Sequence, residues 1–192
     1  LSALRAPPRP VSAPPNRPDG HVAPEARPVL AKVPRGTPKD ARRLWAAVNR
    51  PNLMVKIPAT LEGIPAIQQC ISEGININVT LLFAQGMYQK VADAYIAGLG
   101  KWSASGGDTG RVASVASFFI SRIDSMVDSM LKARPKASTD PKERALLRRL
   151  MGKVAIANAK HTYQLYKQLF SGPTREGPAD AGGPAQRLLC GP

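Results

Sequence analysis

A lysine stands inside the short apolar run Asn52–Thr60, NLMVKIPAT, flanked by Leu53, Met54, Val55 and Ile57. Ammonium groups are rarely buried, because leaving water is costly unless the charge is paired or lost. Burial lowers a lysine's pKa and so converts an inert ammonium into a nucleophilic amine. Further polar residues occupy positions where strands would otherwise place apolar ones. Asn78 and Thr80, in GININVTLLF, are two residues apart and share one strand face. Ser114 and Ser117 lie in VASVAS, and Arg122 follows five residues after Ser117. An amine, an amide, hydroxyls and a guanidinium fork suited to phosphate are the parts of a Schiff-base site for a phosphorylated sugar. Each part also has a plainer reading. Lys56 could face solvent from an edge strand, the hydroxyls could satisfy backbone groups, and Arg122 could pair with Asp124 or Asp128.

Positioning these residues requires alternating strands and helices. Thr37-Pro38-Lys39-Asp40 is a helix start, with a capping Thr and Pro at the first helical position. Ala41, Leu44, Trp45 and Val48 mark its apolar face up to Asn49. The Lys56 strand follows, then a helix capped by Thr60, carrying Ile64, Ile67 and Ile71 and closed by Gly74. Ile75–Leu82 is a second strand. Phe83, Met87, Val91 and Tyr95 trace a helix expected to stop at Gly98–Gly100, before a Gly/Ser loop. Val112–Ser117 is a third strand. Phe119, Ile123, Met126, Val127 and Met130 mark the next helix. Asp140-Pro141 opens a helical stripe to about residue 170, interrupted at Gly152, and Gln186–Cys190 begins a fourth strand. The β-α-β-α-β-α-β order predicts crossover units and a parallel sheet. No Gly-rich phosphate fingerprint follows any strand, so a (β/α) barrel is preferred to a nucleotide-binding doubly wound sheet. In such barrels the reacting groups stand at the carboxyl ends of the strands.

Composition narrows the function classes. The 192 residues carry a formal net charge of +14. Residues 1–50 hold 10 basic and 3 acidic side chains, residues 134–192 hold 11 and 4, and residues 51–133 hold 6 of each. With the excess confined to the flanks, a dedicated nucleic-acid domain is not expected. Residues 1–36 contain nine of the 19 prolines, and this basic segment is predicted to be largely disordered. The domain proper is residues 37–192. Cys70 and Cys190 are too few for a disulfide framework and fit a reducing, cytoplasmic setting. No apolar run is long enough to span a membrane. His161 has no carboxylate or cysteine at ligand spacing and is read as core or interface packing. Asp124 and Asp128 are read as a solvated helix face, and no metal site is expected. The chain opens on Leu rather than Met and is read as a fragment or processed product.

Four segments carry a resemblance: RPNLMVKIPAT (Arg50–Thr60), GININVTLLF (Gly74–Phe83), VASVASFFISRID (Val112–Asp124) and GKVAIANAK (Gly152–Lys160). In this order they resemble transaldolase, over roughly Thr37 to Leu189. The resemblance implies an α/β fold, a partial (β/α)8 TIM barrel with about four parallel strands, and no cofactor. It implies that Lys56 forms the Schiff base with a ketose donor. Asn78 would hold the dihydroxyacetone moiety, and Thr80 would position the catalytic water. Ser117 and Arg122 would bind substrate hydroxyl and phosphate. Glu25, in HVAPEARPVLA, resembles the acid that partners that water, although Pro24 and Pro28 bracket it.

The implied partners are sugar phosphates: fructose 6-phosphate, sedoheptulose 7-phosphate, erythrose 4-phosphate and glyceraldehyde 3-phosphate, within the pentose phosphate pathway. The implied reaction transfers a dihydroxyacetone unit from ketose phosphate to aldose phosphate. The family's proton-transferring aspartate and an asparagine on its next strand have no counterpart here, so turnover is expected to be severely reduced. Two rivals are a related Schiff-base aldolase that releases the fragment to water, and a non-catalytic fragment whose basic flanks bind acidic partners. The sequence gives no oligomeric state.

Overall fold

The computed structural model describes residues 21–24, 36–171 and 183–191. Four strands, β1 (Val55–Pro58), β2 (Ile77–Leu82), β3 (Ser114–Phe119) and β4 (Arg187–Gly191), form one sheet in the order β1-β2-β3-β4, every pair parallel. Between them lie α2 (Gly63–Ile71), α3 (Gln85–Ala104), and the trio α4 (Ser121–Ala137), α5 (Pro141–Leu150) and α6 (Val154–Ser171), with α1 (Gly36–Val48) preceding β1. Strand order that follows chain order, without reversal, is the arrangement of a barrel wall rather than of a doubly wound sheet. The predicted partial (β/α)8 barrel is therefore observed as a four-stranded wedge.

Alternation splits the strands into two faces. Val55, Ile57, Ile77, Val79, Ala116 and Phe118 are buried against the helices, in one core with Ile67, Ile71, Tyr88, Val91, Tyr95, Leu99 and Phe170. Each fully buried Val, Leu, Ile or Phe among them contributes about 1.5–3 kcal/mol. The residues between them are half-buried: Lys56 and Pro58, Asn78 and Thr80, Val115, Ser117 and Phe119. They form the inward face. Lys56 thus lies on a strand whose other neighbours are buried, flanked on one side by β2 and on the other by residues 22–24. Val22 bridges Leu53, and the amide of Lys56 donates to the carbonyl of Pro24 at 3.0 Å.

Several expected boundaries shift for identifiable reasons. β2 and β3 each begin two residues later than predicted, at Ile77 and Ser114. The side chain of Asn76 occupies the preceding backbone groups, accepting from the amide of Ala113 at 2.8 Å and donating to Pro51 and Leu53 at 3.0 Å. Phe119 is the last residue of β3 rather than the first of a helix. α3 runs through Gly98 and Gly100 to Ala104 instead of stopping there. A Cβ on Gly98 would meet the carbonyl of Gln68 at 2.7 Å, so this glycine lets α2 and α3 approach and does not end the helix. Thr60 does cap the turn into α2, its hydroxyl accepting from the Gly63 amide at 3.0 Å. Gly74 closes that helix at φ 74°.

The predicted interruption at Gly152 separates α5 from α6, with that glycine at φ 66°. Asp124 and Asp128 are not simply a solvated face. Asp128 accepts from the Gly152 amide and Asp124 from the Ala155 amide, both at 3.0 Å, which ties the start of α6 to α4. His161 is exposed and packs in no core, and Met126 and Met130 are 65% and 63% exposed rather than core-facing. Cys70 is buried, which pushes its thiol up to about 12, while Cys190 is exposed; both are free. Among the described residues, no helix is long and apolar enough to cross a membrane. Nor does any group of three or more His, Cys, Asp or Glu among them fit a metal ion.

Candidate active site

The parallel register gathers the expected residues on one face. Lys56 lies opposite Asn78, and Pro58 opposite Thr80. Thr80 follows Asn78 on the same side of β2, about 6–7 Å further along the strand. Ser117 of β3 donates its hydroxyl to Asn78 Oδ1 at 2.8 Å. That bond occupies the carbonyl end of the amide and leaves the NH2 end to donate into the open side. Lys56, Asn78, Thr80 and Ser117 are all half-buried. They are reachable by a small polar molecule yet held by backbone that is paired on both sides. The turn out of β1 is equally constrained: a Cβ on Gly63 would sit 2.3 Å from the carbonyl of Pro58, so no larger residue fits there without displacing the strand end.

Arg122 occupies the first turn of α4, immediately beyond β3. Its guanidinium carbon lies 4.3 Å from the centroid of the Phe119 ring. It pairs with neither Asp124 nor Asp128, whose carboxylates hold the start of α6. The first turn of a helix already favours anions, because its amides lack intrahelical acceptors and the macrodipole is positive there. A guanidinium fork at that position adds bidentate geometry for phosphate. Glu25 lies outside the described residues; Pro24, the residue before it, is the acceptor of the Lys56 amide.

Ser114 does not belong with this group. Three residues from Ser117, it faces the helices, 2% exposed, donating to the carbonyl of Ile77 at 2.8 Å and accepting from Gln186 Nε2 at 2.9 Å. Parity along the strand was the available signal. Phe83 and Phe119, read from the sequence only as helix-marking apolar residues, lie beside the site and stack with centroids 5.6 Å apart. A concavity of about 860 Å³ lies elsewhere, between α4 and the end of β4, lined by Asp124, Asp128, Lys132 and Cys190 among others. It includes none of Lys56, Asn78, Thr80, Ser117 and Arg122, which stand on or beside the open inward face.

The chain is similar in sequence to several known proteins. A transaldolase of Trichodesmium erythraeum is 47% identical over 171 residues, 89% of this chain and 45% of that protein. A transaldolase of a Parafrankia species is 48% identical over 171 residues, 89% and 44% of the two chains. Transaldolase 2 of a Nostoc species is 44% identical over 182 residues, 94% and 48%. The chain thus spans less than half the length of these curated relatives. The family model described as Transaldolase/Fructose-6-phosphate aldolase matches residues 11–176, and the chain belongs to that family.

Proposed function

We propose that this chain carries the Schiff-base half of a transaldolase site, acting on sugar phosphates in a reducing, cytoplasmic setting. The observation that carries the reading is the juxtaposition of Lys56 with Asn78 across β1 and β2, with Asn78 itself oriented by Ser117. The neutral amine of Lys56 attacks the carbonyl carbon of a ketose phosphate such as fructose 6-phosphate. Loss of water gives an imine, which accepts the electron pair when the adjacent carbon–carbon bond breaks. Glyceraldehyde 3-phosphate leaves, and the dihydroxyacetone unit stays on Lys56 until an aldose phosphate such as erythrose 4-phosphate accepts it. The NH2 group of Asn78 and the hydroxyl of Ser117 bind the hydroxyls of the three-carbon unit. Thr80, one alternation step towards the strand end, orients the water lost and regained at the imine carbon, with Glu25 as its partner. Arg122 takes the phosphate.

Proton transfer is the slow part. A positioned acid or base contributes about 10²–10⁴-fold, and no residue of this chain matches the family's proton-transferring aspartate. The experiment is incubation with fructose 6-phosphate, following glyceraldehyde 3-phosphate and free dihydroxyacetone separately, then addition of erythrose 4-phosphate. Release of glyceraldehyde 3-phosphate without dihydroxyacetone, followed by sedoheptulose 7-phosphate, is the expected result. Matching release of dihydroxyacetone would favour the aldolase reading. A folded chain that forms neither product overturns both.

A further inference from the structure

Strict alternation along β2 would put Phe83 on the helix-facing side with Ile77 and Val79. It is not there. Val79 pairs with Ala116 but Leu82 pairs with Phe118, so three steps along β2 oppose two along β3. The extra residue is taken up where Leu81 adopts φ 60°. Such a backbone persists in a non-glycine residue only where its surroundings over-determine it, and it clusters at functional sites. Its consequence here is specific. Leu82 is returned to the core, fully buried, and Phe83 is turned inward onto Phe119, the rings 20° from parallel.

The loop that carries Phe83 is then tied down from a distant helix. Asn158 of α6 donates from Nδ2 to the carbonyl of Phe83 at 2.8 Å, and its Oδ1 accepts from Gln85 at 3.3 Å. The ring of Phe119 thereby holds Phe83 in a stack and the Arg122 guanidinium over its face. An arginine side chain is long and flexible. Holding its guanidinium over an aromatic face at 4.3 Å restricts where the fork can sit.

We propose that Phe83 and Asn158 are positioning residues for Arg122: they fix the Phe119 ring, which fixes the guanidinium fork that receives the phosphate. This rests on the reading that Arg122 takes the phosphate. It also gives the GKVAIANAK segment, which contributes nothing to the inward face, a role at the site through Asn158.

The test uses the full ¹⁵N-labelled chain and the Nε–H resonance of Arg122, identified by its loss in Arg122→Lys. Phe83→Leu and Asn158→Ala should each move that resonance by altering the aromatic ring current, and Phe83→Tyr should restore it. Titration with inorganic phosphate should give affinity about two- to fivefold weaker in Phe83→Leu and Asn158→Ala than in the parent or Phe83→Tyr. An Arg122 resonance unmoved by both Phe83→Leu and Asn158→Ala overturns the proposal, as does equal weakening in Phe83→Tyr. If phosphate leaves the parent resonance unchanged, the phosphate reading fails. The Phe83→Leu shift still decides whether Phe83 positions the guanidinium. Circular dichroism identifies a variant that does not fold, and Asn158→Ala, remote from the rim, answers if Phe83→Leu is lost that way.

Discussion

Asn76 and Asn78 are the same amino acid, two residues apart on the approach to and along one strand, and they do opposite work. Asn76 is 1% exposed, and its amide makes three hydrogen bonds to the backbone around the amino ends of β1, β2 and β3. Asn78 is half-buried, bonds Ser117 through its oxygen, and presents its other end to the inward face beside Lys56. An amide whose donors and acceptor are all used internally is a staple. One that is only half used keeps its donors open, as the proposed binding of a substrate hydroxyl would require. The two residues differ in face rather than in height along the sheet: Asn76 is sealed in the backbone around the strand starts, and Asn78 stands on the inward face one residue into β2, across from Lys56.

Substitution should separate the two asparagines. Asn76→Ala leaves the Ala113 amide and two carbonyls without partners and is expected to cost about 3 kcal/mol in denaturant unfolding, with the fold's cooperativity reduced. Asn78→Ala is expected to leave stability almost unchanged while weakening ketose capture on Lys56 about tenfold, the worth of one hydrogen bond to substrate. A larger stability loss for Asn78→Ala than for Asn76→Ala would erase the distinction. Leu81→Gly should relieve the left-handed backbone and stabilise the chain by about 1 kcal/mol, whereas the β-branched Leu81→Val should destabilise it in the same thermal melts.

The smallest effect concerns a surface ion pair. Arg42 donates two hydrogen bonds of 2.6 Å to Glu73, which hold that carboxylate below its ordinary range. Because the folded value is the lower one, the pair's contribution is fully present above the unfolded glutamate value, about 4.3. It is lost as pH falls through the folded value. Both partners are substantially exposed, at 45% and 31%, so solvent screening limits the contribution to under about 1 kcal/mol. Arg42→Gln should lower stability at neutral pH by that amount, and the gap from the parent should close in acid.

Much of this was legible beforehand because periodicity and residue type agreed. The buried Val55 and Ile57 on either side of Lys56, and the Asn78/Thr80 spacing, carry their own strand face. What stayed hidden depends on contacts between distant segments. That Gly98 admits α2 rather than ending α3, and that Asp124 and Asp128 hold the start of α6, are tertiary facts with no local signature. Phe83 shares the four-residue spacing of Met87, Val91 and Tyr95 and so reads as the start of a helix; only the leucine at φ 60° reveals that it follows a bulge in β2, before the helix begins at Gln85. Ser114 and Ser117 were the reverse case: their odd spacing already implied opposite faces.

The central claim, that Lys56 is a working amine on the inward face, is tested most directly by borohydride trapping with fructose 6-phosphate. Intact mass and peptide mapping would locate the adduct, with Lys56→Ala as the control. The expected result is a single three-carbon or hexose adduct on Lys56, abolished in Lys56→Ala although that variant keeps the parent's circular dichroism. A folded chain that takes no adduct, or takes it equally on other lysines, would contradict the account.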